Sequence, residues 1–121
     1  MATLTPTLTL TSTDATSDSL SISVTDSLTT ANPAVNVARQ SVATSGQFNI
    51  LTSADNTSIT YVYVKNCDTT NVVTLKTDGG VAFMDLSPEE FCYLPIKGAV
   101  GLEATANTSA CVIEYAYFTK G

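Results

Sequence analysis

The side chains able to do chemistry here are eleven acids, five tyrosines, three cysteines and five basic residues, and no histidine is present. Without an imidazole, neither a Ser-His-Asp triad nor a Cys-His pair can be assembled. A Ser-Lys pair would need a positioned lysine, and Lys65, Lys76, Lys97 and Lys120 all read as turn or strand-end residues. Glycoside hydrolysis would need two carboxylates gathered by the fold from Glu89, Glu90, Glu103 and Glu114. Such pairs work in an aromatic cleft, which this pattern does not announce. Asp14, Asp18, Asp55 and Asp68 lie in loops where calcium finds oxygen ligands, but the EF-hand spacing is absent. Cys67, Cys92 and Cys111 are far apart, with no paired metal signature, and read as small buried hydrophobes or free thiols. No phosphate-cradling glycine pattern occurs. Asn56-Thr57-Ser58 and Asn107-Thr108-Ser109 match the glycan-acceptor pattern and read better as turns. The expectation is a non-enzymatic protein with no catalytic residue, cofactor or metal.

Charge narrows the partners. The net charge is −6, the pI is near 4.1, and only 13% of residues are charged. Arg39, Lys65, Lys76, Lys97 and Lys120 are scattered singly, so no stripe follows a phosphate backbone and nucleic acid is not expected as a partner. An anionic membrane surface would repel the chain, and no apolar run is long enough to span a bilayer. Met1 to Leu10 lacks a basic and an apolar region, so no secretory signal is expected. In place of charge the chain uses Thr and Ser, about a quarter of its residues. Hydroxyls suit strands, and a surface of hydroxyls costs less to desolvate against a neighbour than one of charges.

The tyrosines are the more informative feature. Tyr61 and Tyr63 lie two apart on one strand, as do Tyr115 and Tyr117, with Phe118 on the opposite face of theirs. Cys111 to Thr119 is apolar on both faces except for Glu114, which points to oligomer contacts there. Leu4, Leu8 and Leu10 extend the candidate interface to the N-terminal stretch. That stretch carries no basic or aromatic residue before Ala31. It reads either as an extended arm pairing with a neighbouring subunit or as the edge of the same domain.

The elements that position these residues are strands. Asp18 to Asp26 alternates Leu20, Ile22 and Val24 with hydroxyls at period two, which excludes a helix. Nine further strands are expected at 3–11, 34–43, 47–52, 58–65, 71–77, 81–86, 91–96, 100–106 and 110–119. Pro6 limits the first to an edge. Turns are marked by Asn32-Pro33, Ser45-Gly46, Asp78-Gly79, Ser87-Pro88 and Lys97-Gly98. Eight to ten short strands in 121 residues imply one all-β domain, a jelly-roll-like antiparallel sandwich. Its expected core is Leu20, Ile22, Val24, Phe48, Ile50, Tyr61, Val73, Leu75, Phe83, Leu94, Val100, Leu102 and Ile113.

Four segments carry a resemblance: Ile59-Thr-Tyr-Val-Tyr-Val-Lys-Asn66, Asn71-Val-Val-Thr-Leu75, Leu86-Ser-Pro-Glu-Glu-Phe-Cys-Tyr-Leu-Pro95 and Ala110-Cys-Val-Ile-Glu-Tyr115. In this order they resemble small β-sandwich structural proteins of tailed bacteriophages. Most of the chain after Ser58 is covered, and Glu89 stands where that pattern commonly has Gly. The resemblance implies a virion component, assembled in the host cytoplasm. It implies a decoration or cement protein of the head shell, often a homotrimer, whose partners are the major capsid protein and its own copies. A tail, neck or fibre component is the alternative. A glycan-binding sandwich is a third reading.

Overall fold

Proline has no N–H to give a ladder, and Pro6 splits the first expected strand into β1 (Ala2–Leu4) and β2 (Thr7–Ser12). The structure, a computed structural model, describes residues 2–31 and 37–121. The chain divides into two compact units, residues 1–32 with Gly121, and residues 33–120.

In the first unit, β2 pairs antiparallel with β3 (Leu20–Thr25), and β1 pairs with β4 (Leu28–Thr30), a strand the sequence reading missed. Every partner pair in both ladders has residue numbers that add to 32, from Ala2↔Thr30 to Ser12↔Leu20. The two ladders are therefore one long hairpin in a single register. The Asp26 amide bridges the interruption by donating to the Pro6 carbonyl at 3.0 Å.

The described residues of the second unit form eight strands: β5 (Ala38–Val42), β6 (Phe48–Leu51), β7 (Thr60–Asn66), β8 (Val73–Thr77), β9 (Ala82–Leu86), β10 (Phe91–Ile96), β11 (Leu102–Ala106) and β12 (Cys111–Thr119). They form two four-stranded antiparallel sheets packed as a sandwich, in the orders β10-β7-β12-β5 and β6-β11-β8-β9. The pairing is nested: β8 with β9, β7 with β10, β6 with β11 and β5 with β12. The chain runs out and back as one ribbon that turns at Asp78-Gly79-Gly80, where the Gly80 amide donates to the Thr77 carbonyl. Gly80, not Gly79, has the positive φ of 84° that the turn requires. The expected strand over 34–43 is observed from Ala38; residues 34–36, like the Asn32-Pro33 turn, lie outside the described residues.

The core lies between the sheets. β7, β12 and β5 contribute Val62, Val64, Ile113, Cys111 and Val42; β6, β8 and β11 contribute Ile50, Leu51, Val73, Leu75, Leu102 and Ala104. Burying a side chain such as Leu75 or Ile113 stabilises the fold by about 1.5–3 kcal/mol. Phe48 and Tyr115 meet edge to face at 5.6 Å across the sandwich. Of the expected core, Ile50, Tyr61, Val73, Leu75, Leu102 and Ile113 are buried, and Phe48, Leu94 and Val100 pack against it half-buried. Leu20 is half-buried. Ile22, Val24 and Phe83 are corrections: all three are exposed, at 39%, 56% and 45%. The first two lie on the hairpin, and Phe83 falls opposite the inward parity of Met84 and Leu86, beside a register shift in the β8–β9 ladder.

Two buried asparagines fix β7 at its ends. Asn56 donates to the carbonyls of Lys97 (2.7 Å) and Val100 (2.8 Å) and accepts from the Thr60 hydroxyl (2.8 Å). Asn66 donates to the carbonyls of Asn71 and Leu86 at 2.9 Å and accepts from the Asp68 amide. Both are fully buried with their amides satisfied, so each ties loops together without an orphaned polar group. Asn56 also cannot present its amide to a glycan in the folded chain.

Candidate interaction surfaces

Strand alternation sets the two faces of the hairpin. Residues opposite each other share a face. One face of β2–β3 carries the rungs Leu8↔Val24, Leu10↔Ile22 and Ser12↔Leu20; the other carries Thr7↔Thr25, Thr9↔Ser23 and Thr11↔Ser21. The first face is aliphatic and the second is made only of hydroxyls, with Thr7 and Thr25 hydrogen-bonded at 3.2 Å. Leu8 and Leu10 are 46% and 45% exposed, and Leu4 is half-buried. Aliphatic surface of this kind, in a ribbon of only two strands, calls for a second layer before the ribbon is stable in water.

The second surface is the outer face of sheet β10-β7-β12-β5. The register places Phe91, Lys65, Glu114 and Arg39 in one row across four strands. Tyr93, Tyr63 and Ala116 form the next row, and Pro95, Tyr61 and Phe118 the third. Tyr61 stacks on Tyr93 with ring centroids 6.3 Å apart. The Tyr63 hydroxyl donates to Glu114 at 2.9 Å, and Arg39 pairs with the same carboxylate at 3.3 Å. Burial, followed by the hydrogen bond to Glu114, pushes the Tyr63 phenol up to about 12.

The expected interface residues therefore separate. Tyr61, Tyr63 and Phe118 come together on this outer face. Tyr115 and Tyr117 share the inner face with Ile113 and pack against the core. Strand β12, expected to need an oligomer partner because it is apolar on both sides, is hydrogen-bonded between β7 and β5. Its apolar character is that of a central strand. Phe91 and Val112, 64% and 41% exposed, belong to the outer face and went unnoticed in the sequence. Their signal was parity with Tyr63 and Glu114.

The candidate chemical groups stay apart. Glu114 lies on the outer face of one sheet and Glu103 on that of the other, and Glu90 accepts from the Ser87 amide in the β9–β10 turn. Asp55 and Asp68 serve as acceptors within their own turns, Asp55 for the Thr52 hydroxyl and Asp68 for the Thr70 and Asn71 amides. Those amides hold the Asp68 carboxyl below its usual range. Among the described residues no group of three His, Cys, Asp or Glu is placed to hold a metal ion. Cys67, Cys92 and Cys111 are free, and burial raises Cys92 to about 11. An open groove of about 510 Å³ lies along Met84, Leu86, Glu89, Phe91 and Cys92.

Comparison with protein-family models, with curated proteins and with solved structures finds no match to this chain.

Proposed function

We propose that this protein is a structural subunit of a virion, which decorates a capsid shell and stabilises it by bridging neighbouring shell subunits. The observation that carries the reading is the aliphatic face of the β2–β3 hairpin. Leu8, Leu10, Ile22 and Val24 stand open on a two-stranded ribbon that a second layer must stabilise. A subunit that lies against many neighbours has such a layer; a protein working alone does not. The nested pairing of two four-stranded antiparallel sheets also supports it, and we read that order as a jelly roll, an architecture common in capsid proteins. Fold alone does not assign function, so the weight rests on the open face. Many copies in a closed symmetric array turn weak contacts into a stable shell. The partners on this reading are the major capsid protein and further copies of this chain.

The test is copy number in purified particles, by quantitative mass spectrometry. Hundreds of copies, in fixed ratio to the shell subunit, support decoration of the head. A few dozen or fewer support a neck, tail or fibre position. Absence from particles removes the virion reading.

A glycan-binding role is the second reading, favoured by the aromatic rows Tyr93–Tyr63 and Tyr61–Phe118 on one sheet face. It requires saturable sugar binding lost on Tyr63→Ala.

A further inference from the structure

The two surfaces differ in charge as well as shape. The hairpin unit carries Asp14, Asp18 and Asp26 and no basic residue, so the side-chain charge that accompanies its aliphatic face is purely acidic. Packing two hairpins face to face would bring these acids together with no cation between them, and like charges at an interface are unfavourable. The outer face of β10-β7-β12-β5 has the complementary character. It exposes Phe91 and Val112 and carries Arg39 and Lys65 against the single acid Glu114. Arg39 is paired with Glu114 while 67% of its side chain stays exposed, and Lys65 makes no ion pair among the described residues. The dimensions agree: six-residue strands run about 20 Å, and a two-stranded ribbon is narrower than a four-stranded sheet.

We infer that the aliphatic hairpin face of one copy docks on the outer face of sheet β10-β7-β12-β5 of a second copy. The inference rests on the structural-subunit reading and names the partner of that open face. The two surfaces are different, so the contact is head to tail, and it forms a closed ring where the rotation between copies permits. Each copy then makes two contacts, one with each surface. That compensates for a patch of only a few hundred Å² on the hairpin, on the order of the largest patches seen on monomers. Phe91, Tyr93 and Val112, the residues this outer face leaves exposed, are covered in the same step.

The experiment is carbodiimide coupling of an equal mixture of ¹⁵N-labelled and unlabelled full-length chain, read by mass spectrometry, with light scattering giving the oligomer size. The expected result is an oligomer in which Asp14, Asp18 or Asp26 is joined to Lys65, with about half of those links between chains of different isotope. Links only within one isotope mean the hairpin covers its own sandwich, and the inference fails. A monomer at all concentrations, or an oligomer without such links, also overturns it. The double variant Leu10→Asp, Ile22→Asp should become monomeric with the thermal unfolding of the sandwich unchanged; retention of the oligomer contradicts the inference. Copy number in particles is a separate readout, so a hairpin that fails to find a second copy leaves the virion reading standing.

Discussion

The two outer faces of the sandwich are built from the same pleat and look nothing alike. On β6-β11-β8-β9 the register lines up Asn49, Glu103 and Lys76, with Thr105, Thr74 and Asp85 beside them, and the Thr74 hydroxyl donates to Asp85 at 2.8 Å. Apart from Val81 and Phe83, exposed at its β9 edge, that is the solvated face expected of an antiparallel sandwich. On β10-β7-β12-β5 the same positions hold Phe91, Tyr93, Tyr63, Tyr61 and Phe118. Water is the natural partner of the first face and a poor one for Phe91, Tyr93 and Val112, which the second leaves exposed. On the proposed reading, these exposed aromatic and aliphatic residues mark the side that a second copy covers.

Substitutions should separate the roles of inner face, aromatic outer face and polar outer face. The largest loss of stability should follow Tyr115→Ser on the inner face, about 3 kcal/mol by denaturant unfolding, because it empties the contact with Phe48. Asn56→Ala should cost about 2 kcal/mol, since three hydrogen bonds go and two carbonyls and a hydroxyl are left buried. Tyr63→Phe should cost about 1 kcal/mol at neutral pH. The wild-type phenol keeps its proton to a higher pH when folded, so its contribution is complete below pH 10 and is lost as pH rises from 10 to about 12. Tyr63→Phe should accordingly flatten part of the alkaline fall in stability. Glu89→Gly should stabilise by about 1 kcal/mol, because Glu89 holds a φ of 66° in the turn closed by the Glu90 amide and the Ser87 carbonyl. Thr105→Lys, on the polar outer face, should change stability by less than about 0.5 kcal/mol.

Much of the fold was legible because period-two alternation is a direct record of the pleat. Strand β10 was read with its true ends, and most other strands to within two residues. Alternation does not say whether an apolar face is covered, so Leu20, Ile22 and Val24 were read as core when they belong to the hairpin's aliphatic face. The distinction between Tyr61 and Tyr115 was equally hidden. Each sits in an alternating strand, and only the register, Tyr115↔Val64 against Phe118↔Tyr61, decides which face is inward. Asn66 did leave a signal, being polar in the inward series Val62, Val64, Asn66. Glu89 was flagged as standing where glycine is common, and the chain turns there as glycine would, with the strain carried by a glutamate. The positive φ of Ala99 and Thr108 gave no such warning.

The most direct test of the account places one charge on each outer face and measures association of the full chain by sedimentation equilibrium. Val112→Asp on β12 should shift the protein to monomer with its melting temperature nearly unchanged, because it sets an acid against the acidic hairpin, while Thr105→Asp on β11 should leave association as it is. If Val112→Asp associates as the wild type does, or if both variants lose association equally, the aromatic face is not the covered one.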